Sequence, residues 1–293
     1  MLWPRAEYSP IFERPPLRLP NGARVAVWVA VNVEEWDIQQ PMARTVIPAP
    51  QGAQIVPDIP NYGWYEYGLR VGIWRLKRVL DRYGIRAGLS LNASVCESYP
   101  AIVDACLRAG WEIIGHGYKQ RALPLEADER AVIARTLETI HERTGQRVRG
   151  WMGPGLHETL DTLDILAEHG IEYVCDWCND DQPYRLRVRT GELYSIPYTV
   201  ELNDIVVHLV QHHPSAELLH RTQYAFETLH AEGAESARVL CVSVHPYITG
   251  AAHRIGFFDQ LCAYLKSQPD TVFMLPGEIL DWYRAATAAT ARG

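Results

Sequence analysis

The chain has 293 residues, of which 47% are hydrophobic and 22% charged, a composition typical of a globular protein with a sizeable core. This excludes a disordered or collagen-like chain, and the net charge of −7 argues against nucleic acid as a partner. No apolar run approaches the roughly 18 to 20 residues of a membrane span, and the start MLWPRAEYSP lacks a signal-peptide core. We therefore expect a cytoplasmic protein that binds neither nucleic acid nor membrane.

Strand-like and helix-like patterns alternate along the chain. Apolar β-like runs fall at 25–33, 87–92, 111–115, 147–151, 171–176, 194–199, 204–210, 239–245 and 271–275. Helical patterns fall at about 70–84, 98–109, 127–143, 158–169, 215–232, 256–267 and 276–286. This alternation predicts an α/β fold, and the strand count favours one irregular (β/α) barrel of about seven parallel strands spanning residues 1–293. No GxGxxG or GxxxxGK(S/T) follows a strand, so nucleotide sites are not expected.

One long segment, 37–64, lacks this periodicity and is rich in proline. A loop of this length inside a compact domain is usually a lid over a site or a contact between subunits. We expect one of these two roles.

The six cysteines are scattered through a long chain, whereas disulfide frameworks belong to short secreted ones. We interpret them as reduced. Cys175 and Cys178 have the CxxC spacing, but no helix opens there and no second CxxC completes a zinc site.

Polar side chains follow five of the predicted strands, where barrel enzymes place their chemistry. The five groups are 32–36, 116–120, 149–155, 176–177 and 245–247. Each has a purely structural explanation as well: Glu34 and Glu35 point to opposite faces of a strand, so one of them can be solvated. Histidines such as His116 and His245 often lie at the rim of a core with both ring nitrogens bonded. Their joint placement after successive strands favours a catalytic site.

Taken in order, these motifs resemble the polysaccharide deacetylase superfamily: a carboxylate pair, His116 within EIIGHGYKQ, Arg149 within VRGWMGPG, Asp176-Trp177, and His245. The segments YEYGLRVGIWR and HPYITGAAHR are similar to its cyclic imide hydrolase and allantoinase branch. The resemblance covers about residues 10–285 and implies an irregular barrel of seven-stranded type that hydrolyses C–N bonds of amides.

Sugar deacetylases of this superfamily carry Asp-Asp and His-x-x-x-His and bind a divalent metal through one Asp and two His. In this chain Glu34-Glu35 and His116-x-x-x-Gln120 occupy those places. Only Glu35 and His116 then remain as ligands, fewer than the three protein ligands of an ordinary catalytic zinc. The expectation is that no metal is required, with a single divalent ion of the zinc type as the alternative.

The third motif also departs from the deacetylase pattern, because three glycines and a tryptophan replace an Arg-Pro-Pro-Tyr-like stretch. This suggests a tight pocket for a small flat ring, which aromatic walls and a few polar anchors bind well. The expected substrate-binding residues are Trp36, Trp64, Tyr65, Trp151, Gly153, Gly155, Trp177, Tyr247 and Gln120. The expected reaction is hydrolysis of a cyclic imide of the succinimide or dihydropyrimidine type to a half-amide carboxylate.

The hypothetical catalytic roles are as follows. Glu35, assisted by Glu34, accepts the proton of the attacking water, since two close carboxylates raise one pKa. His245 is the general acid, with Asp176 fixing its tautomer. Arg149 holds a carboxylate. The backbone N–H groups at Gly153 and Gly155 bind the oxyanion, while His116 positions the water.

Three other functions stay open: an allantoinase-like ureide hydrolase, a metal-dependent N-acetyl sugar deacetylase, and a binding protein that kept the barrel but lost catalysis. The expected partner is a small cyclic molecule. A homo-oligomer, dimer or tetramer, is also expected, since enzymes of this kind are commonly symmetric assemblies.

Overall fold

Nine strands form one curled sheet in the computed structural model, which describes residues 4–290. The strands are β1 Val25–Val33, β2 Gly88–Leu91, β3 Glu112–Gly115, β4 Gly150–Trp151, β5 Tyr173–Val174, β6 Tyr184–Leu186, β7 Leu193–Ser195, β8 Arg238–Val244 and β9 Thr271–Phe273. Their order is β6-β7-β5-β4-β3-β2-β1-β8, with β9 paired to the first residues of β1. Every pairing is parallel except that of β6 with β7.

Helices cover the outside of this sheet. They are α1 Ile59–Tyr67, α2 Ile73–Arg82, α3 Val95–Ser98, α4 Pro100–Arg108, α5 Glu129–Thr144, α6 Thr162–Glu168, α7 Glu217–Glu232, α8 Ile255–Ser267 and α9 Pro276–Thr290. Two π-helical segments, Gly68–Gly72 and Ile205–Val210, join them. The α/β class and the irregular, half-open barrel are therefore confirmed, although the sheet has nine strands rather than about seven.

The strand predicted at 204–210 is wrong. Residues Ile205–Val210 form a π-helical segment in which the neighbours Val207 and His208 are both buried. A short run rich in β-branched residues does not distinguish a strand from a buried helical turn. The short antiparallel strand β6 was not predicted.

Strand β1 pairs with β2, β8 and β9 and separates two layers of the core. All nine of its residues are buried, as in parallel sheets covered on both faces. The odd-numbered positions, from Val25 to Val33, pack with the outer helices. Ala26, Trp28 and Ala30 point to the inside of the curl, where Tyr173 also packs. Side chains alternate along a strand, so the next even positions after β1 continue toward the inside.

The proline-rich loop is shorter than predicted. Helix α1 begins at Ile59, because the Asp58 side chain accepts a hydrogen bond from the backbone N–H of Asn61 and Pro60 occupies the first turn. The loop exposes four apolar side chains, Val46, Ile47, Ile55 and Val56. The expected homo-oligomer stays a prediction.

Within residues 4–290, no helix is both long enough and apolar enough to cross a lipid bilayer.

Glycines allow the helical segment at 68–72 to touch the turn that follows β8. A Cβ built on Gly72 would lie only 2.7 Å from the carbonyl carbon of Pro246, and one on Gly68 would lie 2.6 Å from the backbone nitrogen of Tyr247. Both neighbours are backbone atoms, so neither can swing away. The close approach fixes the turn that begins at His245.

We predict that Gly72→Ala lowers the free energy of unfolding by about 1 to 3 kcal/mol, because the added methyl overpacks a backbone contact. Gly63→Ala is the matched control, since a Cβ at Gly63 has nothing within 4 Å and alanine favours the helix. Urea unfolding measures both. Equal stability of the two variants would contradict the close contact.

Candidate active site

Three predicted residues meet in one cavity at the carboxyl ends of the strands. Side chains alternate along a strand, so residues an even number of positions apart share a face. Glu34 lies on the inward face of β1 by this count, His116 on the face of Ile114 of β3, and His245 on the face of Cys241 of β8. All three are buried and line a cavity of about 1010 Å³. Strand geometry thus brings one carboxylate and two imidazoles from three separate strands to one place.

Glu34 is the carboxylate at the centre of this group. Its Oε1 accepts a hydrogen bond from Gln120 Nε2 at 2.8 Å and lies 3.3 Å from His245 Nε2. His116 Nε2 is 3.7 Å from the same oxygen, outside hydrogen-bond distance. The Tyr247 hydroxyl reaches Oε2 at 3.4 Å.

His245 is oriented by Asp204. The His245 Nδ1 lies 2.6 Å from Asp204 Oδ1, and the backbone N–H of His245 donates to Oδ2 at 2.7 Å. The Thr249 hydroxyl also donates to Oδ2, at 2.6 Å. The carboxylate can only accept, so His245 Nδ1 carries a proton and Nε2 faces Glu34.

The proton of this group resides on His245 at neutral pH. Burial alone would lower the pKa of His245, but Asp204 and Glu34 together raise it to about 9. Burial alone would raise the pKa of Glu34, but His245 and His116 bring it down to about 2. An imidazolium therefore sits between two carboxylates in a buried site.

Glu35 lies outside this group. Its Oε1 accepts a hydrogen bond from the Ser98 hydroxyl at 3.0 Å, at the end of α3. Residue 35 has the opposite parity to Glu34 and points away from the inside of the curl. The prediction that Glu35 is the central carboxylate, or a metal ligand beside His116, does not fit this geometry.

Asp176 does not orient His245, so that prediction is wrong. It accepts the backbone N–H of Gly153 at 2.7 Å and shares a proton in a hydrogen bond with Glu158, to which the indole N–H of Trp177 donates at 3.2 Å. Burial raises the pKa of Asp176 to about 6 and raises that of Glu158 well above its usual range. The Gly153 N–H is therefore already bonded and does not face the cavity as an oxyanion donor.

Arg149 lies at the opposite end of the sheet from the cavity. It precedes β4 instead of following it, and its guanidinium bonds to Glu172 and Asp281. The predicted role of Arg149 in holding a substrate carboxylate is incompatible with this position.

The predicted aromatic residues divide into three groups. Trp36 lines the cavity, and the Tyr65 ring packs against the Trp36 ring, with the two ring centroids 4.5 Å apart. Trp64 and Tyr247 pack behind Tyr65 as part of the same cluster. Trp151 and Trp177 lie elsewhere: Trp151 is fully buried among the outer core residues, and Trp177 lines a different cavity.

Gln120 and Gly155 both line the cavity that contains Glu34, and their binding of substrate stays a prediction. The loop after β1 also lines it through Asp37, Gln40 and Arg44, so the loop covers the site of its own chain.

The cavity holds few side chains that could ligate a metal ion. In the part of the chain that the structure describes, no three His, Cys, Asp or Glu side chains are arranged to hold an ion. Gln120 turns its amide N–H toward Glu34, and an N–H group is not a ligand. The ionisable side chains that meet there are Glu34, His116 and His245, of which Glu34 already accepts from Gln120 and His245 is bonded through Nδ1 to Asp204.

Two residues of the site escaped sequence reasoning. Asp204 lies 41 residues before His245 and begins the misassigned run 204–210. Asn32 lines the cavity and donates to Ser243 at 2.8 Å. The sequence carried a signal for Asn32, since it shares its parity with Glu34, but none for the long-range contact of Asp204.

Comparison with known proteins agrees with the fold. Residues 62–174 match the polysaccharide deacetylase family. A putative polysaccharide deacetylase of Schizosaccharomyces pombe is 23% identical over 85% of this chain and 87% of its own length. The solved structure of a probable polysaccharide deacetylase of Pseudomonas aeruginosa PAO1 has a TM-score of 0.83 and 26% identity, covering 93% of this chain and 95% of that one.

The solved structure of the allantoinase PuuE is similar as well, with a TM-score of 0.84 and 25% identity over 96% of this chain and 98% of that chain. Residues 62–174 thus match a polysaccharide deacetylase domain, and the superfamily inferred from the motifs is confirmed.

We predict that Asp176→Asn stabilises the protein by up to about 3 kcal/mol at pH 8 and by only about half as much at pH 5. A carboxyl whose pKa is raised on folding costs stability as the pH rises from its unfolded pKa to its folded pKa of about 6, and asparagine removes that cost while still accepting the Gly153 N–H. Urea unfolding at both pH values measures this. Glu158→Gln is expected to act in the same direction, and destabilisation of both variants at pH 8 would contradict the shared-proton pair.

Proposed function

We propose that this protein hydrolyses the C–N bond of a small cyclic imide, of the succinimide or dihydropyrimidine type, to a half-amide carboxylate. The coarser assignment, to a superfamily of deacetylase-like hydrolases, rests on the family match and the structural neighbours. The observation that supports the finer one is the Asp204–His245–Glu34 chain opening on an aromatic-walled cavity.

Glu34 is the general base in this mechanism. As the water oxygen bonds to the imide carbonyl carbon, Glu34 accepts one water proton. The charged imidazolium of His245 is the largest influence that lowers the pKa of Glu34. Transfer of the His245 proton to the leaving nitrogen raises the pKa of Glu34, which then keeps the water proton until the ring has opened.

His245 is the general acid. It gives its Nε2 proton to the ring nitrogen as the C–N bond breaks, which converts that nitrogen into the amide of the ring-opened product. Asp204 keeps the ring in the required orientation throughout. The proton taken by Glu34 then returns to His245 across the 3.3 Å between Glu34 Oε1 and His245 Nε2, and both groups are reset.

A cyclic imide suits this machinery better than an acetylated amine. The imide nitrogen is the better leaving group, so acid and base side chains can replace the polarising action of a metal. Trp36, backed by Tyr65, offers a flat apolar wall next to the polar centre. We therefore propose that the reaction requires no metal.

The second candidate is an allantoinase-like reaction on a ureide ring, which the similarity to PuuE over 96% of this chain favours. It uses the same bond cleavage and the same acid and base. Only the ring differs.

We predict that the purified protein hydrolyses succinimide or dihydrouracil after exhaustive chelation, at a rate within about twofold of the untreated protein. Allantoin, hydantoin and a chitin oligomer are assayed in parallel. Turnover of allantoin alone would favour the ureide reaction. Deacetylation that depends on added zinc would contradict the proposed function.

We predict that Glu34→Gln lowers kcat for the preferred ring by about 10²- to 10⁴-fold, the usual cost of losing a general base. Glu35→Gln is the matched control at the adjacent position, and we expect nearly full activity, because Glu35 contacts Ser98 outside the acid–base group. Steady-state kinetics decides between them. Reversed effects would transfer the role of base to Glu35.

A further inference from the structure

Three polar atoms at the cavity have no hydrogen-bond partner within the protein although each is buried. They are Trp36 Nε1, His116 Nε2 and Gln120 Oε1. All three residues line the same cavity. Buried polar groups in folded proteins are almost always bonded, so atoms of this kind at a concave site point to a ligand.

The amide of Gln120 is fixed at its other end. Its Nε2 donates to Glu34 Oε1 at 2.8 Å, and its backbone N–H donates to the carbonyl of Glu35 at 3.0 Å. The ionised Glu34 accepts hydrogen bonds only, so the amide cannot flip without placing two oxygens together. Gln120 Oε1 is therefore held as an acceptor.

The other two atoms face the same cavity. His116 Nδ1 lies 2.6 Å from the carbonyl oxygen of Met152, which can only accept, so Nδ1 carries a hydrogen and Nε2 is the ring nitrogen left without a partner. Trp36 Nε1 is a donor only. The cavity thus offers an acceptor for an N–H group at Gln120 and a donor for a carbonyl at Trp36, and an imide carries an N–H between two carbonyls.

We infer that Gln120 Oε1 accepts a hydrogen bond from the ring N–H and restricts the substrates to rings with an unsubstituted nitrogen. This rests on the proposed function and narrows its substrate class. An N-alkyl ring offers no hydrogen to Gln120 and places a carbon against a fixed buried oxygen. A site built to bond an N–H group discriminates strongly against an analogue that lacks it. Gln120 is a specificity-determining residue, not an acid or a base.

The test compares succinimide with N-methylsuccinimide. We expect kcat/KM of the wild-type protein to favour succinimide by at least about 100-fold. In Gln120→Met, which keeps the size of the side chain but removes the acceptor, the preference is expected to fall to within about tenfold. The lost contact to Glu34 affects both rings, so the ratio isolates the acceptor. Gln40→Met, at another glutamine lining the cavity, is the matched control and is expected to keep the preference.

The outcomes are distinct. Equal turnover of both rings by the wild-type protein would overturn the inference and leave the proposed function standing, as would a preference that survives in Gln120→Met. Failure to hydrolyse any imide would overturn the proposed function, and the inference with it. The comparison within the wild-type protein decides the matter even if Gln120→Met does not fold.

Discussion

The site depends on one buried cation held between two carboxylates. Removing His245, Asp204 and Glu34 from water is costly for each charge alone, and the attraction between opposite charges offsets the cost only when their remaining polar atoms are bonded. Asp204 meets that condition through the Nδ1 and backbone nitrogen of His245 and the hydroxyl of Thr249. Glu34 meets it through Gln120 and Tyr247.

The surrounding fold serves this arrangement. One π-helical segment begins directly after Asp204, and another packs its glycines against the turn that follows His245. β1 and β8 pair over seven residues, so Glu34 and His245, which follow them, are held at a fixed distance. Rigid elements therefore hold Asp204, His245 and Glu34 in place, and this is how proteins keep acid–base groups at working distance.

Much of the site follows from the parity of the strands. In VAVWVAVNVE the odd positions are all valine, and the polar residues Asn32 and Glu34 fall on the even face. This pattern identifies Glu34 as the central carboxylate, the reverse of the predicted roles, in which Glu35 is the base and Glu34 its assistant. The same reasoning places Trp151 with the outer helices, since its neighbour Met152 points inward. The prediction for Arg149 is wrong for another reason: β4 begins only at Gly150, so Arg149 lies before the strand and not after it.

The remaining differences arise from long-range contacts that no local pattern records. Asp204 is a member of the site only because folding places it beside His245. The apolar run that follows Asp204 is equally compatible with a strand and with a buried helical turn. Helix α1 begins inside the proline-rich loop because Asp58 caps it. The order of the motifs in the sequence identified the superfamily. The hydrogen-bond partner of each polar side chain, in contrast, is seen only in the folded structure.

The central claim is that His245 is protonated at neutral pH between Asp204 and Glu34. A ¹H–¹⁵N NMR titration of the histidine rings, with His245 assigned from the spectrum of His245→Gln, measures this directly. The account predicts that both ring nitrogens of His245 still carry protons at pH 8 and that Asp204→Asn lowers the pH at which the ring loses one. A His245 ring that is neutral at pH 7 in the wild-type protein would contradict it.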